Sequence, residues 1–394
     1  MVDLAPTPEI EELRTRVRAF VDEVVIPAEA GMVTEHRAPD DALRADLQQA
    51  ARDAGVFAPT APTAYGGLGL DHVGQSVILR EAGRSLLGPL ALNCAAPDEG
   101  NILLLDRVAD EHQREQFLAP LARGEHRSCF AMTEPAPGAG SDPEMLRTTA
   151  AWDGDAWVIN GRKWFITGAD GAGFAIVMAR TPERGDSPAG ATMFLVDADH
   201  PGLRVERHVG SMDIGFVGGH GEVVLEDCTV GSDAVLGEVG RGFAYAQVRL
   251  APARLTHCMR WLGLAERAQE LTLARVSERE AFGRPLAELG MAQAMVADSE
   301  IDIAAASGLI LHAAWLLDRG ERASAESSIA KTFVAEAVNR VIDRAVQLHG
   351  ALGVSDDAPL ALYLREVRAF RIYDGASEVH RMSIARRAVR RATL

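Results

Sequence analysis

The chain has 394 residues, 47% hydrophobic and 24% charged, enough for two or three domains that share a large buried core. Its 40 Lys and Arg against 56 Asp and Glu give a net charge of -16, which argues against broad attraction to nucleic acid or anionic membranes. Any polyanionic ligand would need a local basic pocket. Four cysteines, Cys94, Cys129, Cys228 and Cys258, lack CxxC or CxxH spacing, so they suggest neither a zinc site nor a disulfide framework, and a reducing compartment is expected.

The chain opens on Met1-Val2-Asp3, without the basic region and apolar run of a secretory leader. From Thr7 to about Arg127 the pattern is helical, with Ile10, Leu13, Val17, Phe20 and Val24 at three- and four-residue steps. Thr7 is placed to cap the first helix, Pro8 fits its first turn, and Pro27 is expected to stop it. Residues 1–127 are therefore read as an N-terminal helical domain.

Between 128 and 235 the pattern changes to short β-branched and aromatic runs separated by turn dipeptides. Asp153-Gly154 and Asn160-Gly161 are expected as turns bracketing a strand at 156–159, with further strands at Phe174 to Met178, Thr192 to Val196 and Glu222 to Leu225. Thr181 to Gly190, rich in Pro, Gly and charge, reads as an exposed loop. This is the expected middle β-domain. The helical period returns in 236–394, most clearly from Phe333 to Val346. The apolar run Ile301 to Leu317 holds Asp302 and His312 and is shorter than the roughly 20 residues that span a bilayer, so a cytosolic protein is expected. Helix, strand and helix blocks in that order predict an α+β chain whose middle domain is inserted between helical domains.

Five stretches could carry chemistry, and each also has a purely structural reading. Residues 130–142, from Phe130 to Asp142, combine hydroxyls with small residues that let another molecule approach the backbone, as a surface loop also would; they are not a G-x-G-x-x-G fingerprint. Lys163 to Gly168 place Trp164 and Phe165 beside Thr167 at the end of the expected Asn160-Gly161 hairpin, where the aromatics could stack on a planar ring or simply pack a core. Arg279 to Pro285 put two arginines around a Phe-Gly break, suited to a pyrophosphate or to a solvated helix end. Gln347 to Gly353 end a helix on glycine, as a C-cap does. Arg371 to Arg381 set Asp374 on a Gly-containing break between helical runs, where a carboxylate can point into a cleft or into solvent.

In this order and at these separations the five stretches resemble the acyl-CoA dehydrogenase family along nearly the whole chain. Met132-Thr133-Glu134-Pro135 with Gly138 to Asp142 is similar to the family's TEPGAGSD signature, and Tyr373 to Ser377 to its YEGTS signature. Asn93 to Asp98, Gly240 to Phe243 and His257-Cys258-Met259-Arg260 look most like the branch whose animal members are fused to a kinase-like domain. The resemblance implies FAD as cofactor, and Asp374 as the base that removes the substrate's α-proton. Met132, Thr133 and Ser141 would line the flavin or acyl end. Phe165, Ile166 and Thr167 would meet the isoalloxazine edge, while Arg279 and Phe282 would serve FAD across a subunit interface. Gln347, Gly350 and Ala351 would hold its adenosine diphosphate half, with Glu378 nearby. Ser141, Arg254, Tyr373 and Gly375 would contact substrate. It also implies a four-helix bundle as the C-terminal domain, a homotetramer built as a pair of dimers and an acceptor such as electron-transfer flavoprotein.

Departures from the family pattern are the aspartate where glutamate is usual, the inserted Ala136-Pro137, Phe165 for tryptophan, Ala376 for threonine and Gly290 where glutamine is common. Two other functions share the resemblance. One is an oxygen-using flavoprotein of the nitroalkane or acyl-CoA oxidase type. The other is a non-catalytic acyl-CoA-binding subunit, against which the retained Asp374, Thr133, Ser141 and Arg279 argue.

Overall fold

The computed structural model describes residues 6–140 and 142–392; Met1 to Asp3, on which the leader reading rests, and the site residue Ser141 lie outside the described residues. Helix α1 (Pro8–Phe20) starts as expected, with the Thr7 hydroxyl accepting from the Ile10 amide at 3.4 Å and Leu13, Val17 and Phe20 buried. Pro27 does not stop it. One π-helical turn, Val21–Val25, intervenes, and the chain continues as α2 (Ile26–Glu35) with Pro27 in its first turn, next to the widened π turn. The run ends at His36, whose φ is 50°. Helices α3 (Asp41–Asp53), α4 (His72–Ala82) and α5 (Asp98–Val108) follow, and a short helix at Gly88–Ala91 and a helical run from Glu111 to Ala122 complete the N-terminal part.

The strands are β1 (Ser128–Ala131), β2 (Thr149–Trp152), β3 (Trp157–Thr167), β4 (Phe174–Thr181), β5 (Gly190–Asp197), β6 (Leu203–His208), β7 (His220–Val230) and β8 (Val235–Leu236). They form one sheet in the order β6-β7-β3-β2-β4-β5-β8, with β1 added parallel to β4, Ser128 opposite Phe174. Asp153-Gly154 makes the β2–β3 turn, where the Asp153 carboxylate accepts from the amides of Asp155 and Ala156, both at 2.9 Å. Asn160-Gly161 is not a turn. It runs on within β3, opposite a bulge in β7 at Glu226 and Asp227: the Asn160 side chain donates to Asp227 at 3.2 Å and accepts from the Asp227 amide at 2.8 Å, and any Cβ at Gly161 would overlap Thr148. The dipeptide's permissive backbone serves a close approach here rather than a reversal.

Strand β4 is buried on both faces. Phe174, Ile176 and Met178 join the core shared with the helices, while Ala175, Val177 and Ala179 join a second core with Trp157, Ile159 and Phe194. The C-terminal helices are α6 (Gly242–Glu278), α7 (Gly290–Asp318), α8 (Ser324–His349), α9 (Leu360–Arg368) and α10 (Ser377–Ala392). Helix α6 crosses α4 closely, because a Cβ at Gly83 would overlap the Arg260 carbonyl and one at Gly263 the Arg80 carbonyl. Helix α7 is longer than its apolar run suggested, at 29 residues, and by length and composition alone could cross a membrane. It packs instead in the bundle, where its buried Asp302 receives Arg340 at 3.1 Å and Arg344 at 2.8 Å from α8. All four cysteines are buried and unpaired.

Candidate active site

The break between α9 and α10 is held by its carbonyls. Asp374 has φ 53° and Gly375 φ 96°, and a Cβ at Gly375 would press on the His380 ring. The Asp374 carbonyl accepts from Arg254 Nε at 2.9 Å and from His380 Nε2 at 3.2 Å, while Lys331 Nζ donates to the Gly375 carbonyl at 2.7 Å. Three helices, α6, α8 and α10, therefore fix one reversal. Tyr373, beside it, accepts at its hydroxyl from Trp261 Nε1 at 2.5 Å.

The Asp374 side chain is 17% exposed, but Oδ2 is enclosed and has no hydrogen-bond partner among the described residues. His257 Nε2 lies 3.3 Å from it, close enough for electrostatic interaction but off the line of a hydrogen bond. Burial opposes the anion, yet the His257 ring and the Arg249 and Arg254 guanidiniums outweigh burial and hold the carboxyl well below the usual range. The carboxylate is charged at neutral pH. Burial pushes the Lys331 ammonium down to about 8 and the His380 imidazolium to about 4, so His380 is neutral and its Nε2–H is the donor to the carbonyl.

A second group lies at the end of β3. Thr133 and Trp164 clasp each other, Thr133 Oγ1 donating to the Trp164 carbonyl at 2.6 Å and the Trp164 amide to the Thr133 carbonyl at 2.9 Å. Glu134 and Lys163 form a buried ion pair at 2.9 Å that anchors the first signature loop, and Lys163 also donates to the carbonyls of Met132 at 3.2 Å and Met178 at 2.6 Å. The inserted Ala136-Pro137 sits in a turn closed by Gly138 donating to the Pro135 carbonyl at 2.8 Å. Phe165 has φ 57° and is 40% exposed, with its ring beside those of Trp164 and His220. Ile166 turns its side chain into the sheet core. Thr167 Oγ1 lies 3.0 Å from His220 Nδ1, and His220 Nε2 3.1 Å from Asp213, which makes a buried Thr-His-Asp chain.

A cavity joins the two groups, lined by Thr167, Phe216, His257, Trp261, Glu366 and Tyr373 among others. The remaining candidates lie elsewhere. Arg279 caps the end of α6 before a small hairpin, Glu280–Ala281 with Arg284–Pro285, whose tip Phe282 is 94% exposed; Gln347, Gly350, Ala351 and Glu378 are also on the surface. His257, Lys331, His380 and the chain through His220 carry no role in the sequence reading. His257-Cys258-Met259-Arg260 is legible there as a motif, but the partner of its histidine is not.

The geometry agrees with the comparisons. Residues 7–125, 129–228 and 240–389 match the N-terminal, middle and C-terminal domains of acyl-CoA dehydrogenases. The chain is 41% identical over 396 residues to the acyl-CoA dehydrogenase FadE2 of Mycobacterium tuberculosis, covering 98% of this chain and 96% of that one. It is 36% identical to acyl-CoA dehydrogenase family member 11 of Mus musculus, where the match takes in 95% of this chain but 50% of that protein. A solved structure from Mycobacterium abscessus, described as an acyl-CoA dehydrogenase, superposes with a TM-score of 0.90 at 39% identity over 98% of this chain and 100% of its own. The chain belongs to the acyl-CoA dehydrogenase family of FAD-dependent oxidoreductases acting on CH–CH bonds.

Proposed function

We propose that this enzyme dehydrogenates an acyl-CoA thioester to the enoyl-CoA, with Asp374 as the base for the α-proton. The observation that carries the reading is the ionised carboxylate of Asp374, a residue whose backbone is fixed by three helices beside a cavity that reaches the end of β3. Two features there fit a planar cofactor: the exposed Phe165 on a strained backbone, and the buried Trp164 Nε1, which lacks an acceptor among the described residues. Met132, Thr133, Phe165 and Thr167 would hold the ring system, and Ile166 would take part through its backbone. Bound FAD supplies the acceptor for the β-hydride, which no side chain can be. The chain's own work is to orient the thioester, exclude water and take the α-proton on Asp374, while the Asp374 amide donates to the thioester oxygen. Tyr373, Gly375 and Arg254 would bound the substrate.

We extend the same reading to the assembly: a homotetramer in which Arg279, Phe282, Gln347, Gly350, Ala351 and Glu378 complete a neighbour's FAD site. An electron-transfer flavoprotein would be the acceptor, the cytosol the compartment, and 1–127, 128–235 and 236–394 the functional domains. The test mixes flavin-loaded protein anaerobically with short, long, branched and alicyclic acyl-CoA esters and follows flavin bleaching. Asp374→Asn should keep flavin and ligand binding but lose at least on the order of 10²–10⁴-fold in reduction rate. Near-normal bleaching by that variant removes Asp374 from the mechanism, and rapid peroxide release from reduced wild-type enzyme favours the oxidase reading.

A further inference from the structure

The proton on His257 can be placed by elimination. Its Nδ1 lies 3.1 Å from Arg260 Nη2, and a guanidinium has donors but no acceptor, so Nδ1 must accept. Arg260 is itself held, donating to the Cys94 carbonyl at 2.7 Å and lying 3.4 Å from Glu99 Oε2, which also receives Thr256 at 3.0 Å. Burial and the Arg260 charge together keep the imidazole from protonating, despite Asp374 and Glu99, so it is neutral with its hydrogen on Nε2. That hydrogen is on the side of Asp374 Oδ2, 3.3 Å away. The rings of Tyr373 and Phe370, with centroids 4.9 Å and 6.0 Å from that of His257, restrict its rotation.

We propose that His257 is the positioning residue of the Asp374 carboxylate: its Nε2–H takes Oδ2 and leaves Oδ1 as the oxygen that receives the α-proton. The proposal rests on Asp374 being the base. The present contact is loose, as catalytic hydrogen bonds often are before substrate closes the site. Among the described residues Oδ2 has no other donor, and it sits out of solvent, so a small rotation of the carboxylate completes the pair. Because Arg260 occupies Nδ1, His257 cannot carry the abstracted proton onward. It orients the base and stabilises its charged form, and the proton remains on Asp374 until exchange or product release.

Proton removal can be read apart from hydride transfer with an acyl-CoA that has α-hydrogens but no β-hydrogen, such as phenylacetyl-CoA or acetyl-CoA. In D2O the α C–H bond breaks, its electron pair moves onto the thioester oxygen, Asp374 takes the proton, and deuterium returns from solvent. Washout is followed by NMR across pH. The groups that face Asp374 and could shape the profile are His257, Cys258, Arg249 and Arg254 from α6, Lys331 from α8, His380 from α10, and Tyr373 beside it.

His257→Leu should shift the acid limb to higher pH and slow the plateau by on the order of 10²-fold, the cost of a base misplaced by about 1 Å. His257→Gln, which can offer an amide N–H in the same direction, should restore most of both. If His257→Leu does not retain flavin, His257→Met fills the space without a donor and takes its place. An unchanged limb and plateau in the donorless variant overturns the proposal, as does a Gln variant no better than Leu. Asp374→Asn separates the two claims: exchange at the wild-type rate there refutes the base itself, whereas its loss beside an unaffected His257→Leu refutes only the positioning role.

Discussion

Asp374 occupies a left-handed backbone position, a region aspartate enters far more readily than most residues because its short side chain can bond locally. A glutamate there would lose that preference and push its carboxylate past His257 by one methylene. Asp374→Glu is therefore expected to keep flavin but slow anaerobic reduction by on the order of 10²-fold, by misplacement of about 1 Å. Equal or faster bleaching in that variant would show that the cavity does not require the shorter acid. Tyr373-Asp374-Gly375 was legible in the sequence because an acid beside glycine between helical runs marks a break. The groups that hold it were not. Arg254 meets the Asp374 carbonyl across 120 positions, and helical periodicity gives the buried face of α6 without naming what that face meets.

Strand β3 works at both ends, its Gly161 packing against Thr148 and its tip presenting Phe165 and Thr167, with Lys163 fastening the signature loop between them. Breaking a buried pair leaves an uncompensated charge, so Lys163→Met should cost about 3–5 kcal/mol in chemical denaturation. Acid should do the same gradually. Burial works against the Glu134 anion, but Lys163 and the Thr148 amide outweigh it and hold the carboxyl below its ordinary 4.5. Between the folded and unfolded values the unfolded chain binds the extra proton, so this contribution is complete above about pH 4.5 and declines as pH falls toward the folded value. A melting-temperature profile in acid should be flatter for Glu134→Gln than for wild type over that window. At this scale Pro27 and Asn160-Gly161 were misread for one reason: each residue type has two structural uses, and neighbours distant in sequence choose between them.

Across the whole molecule the uncovered apolar residues include Phe282, 94% exposed, with Met291 at 80% and Ile301 at 65% on α7. Burial of these side chains between copies would make stability depend on protein concentration, so light scattering should give a tetramer whose melting temperature falls on dilution. A monomer with full flavin content would refute the shared site. Arg279→Ala should lower the flavin retained after gel filtration, by removing a charge-assisted contact to pyrophosphate. Unchanged flavin content would count against that role. The α+β class and the order of the blocks could be read from hydrophobic period alone. The sheet order could not, since β7 lies next to β3 through a pairing that no local pattern encodes.

The four enclosed cysteines make the chain its own clock for unfolding. Burial pushes the thiols of Cys94, Cys129 and Cys258 up to about 12 and that of Cys228 to about 11, so both access and thiolate are withheld from an alkylating reagent in the folded state. Each cysteine lies in a different part of the chain: Cys94 ahead of α5, Cys129 in β1, Cys228 in β7 and Cys258 in α6. Brief iodoacetamide treatment followed by intact-mass analysis should find no added label on native protein and four on denatured protein. In partial denaturant, one-step conversion from unlabelled to fully labelled chains would mean that the helical and β regions open as a unit. A persistent intermediate mass would identify by its labelled peptide the region that opens first.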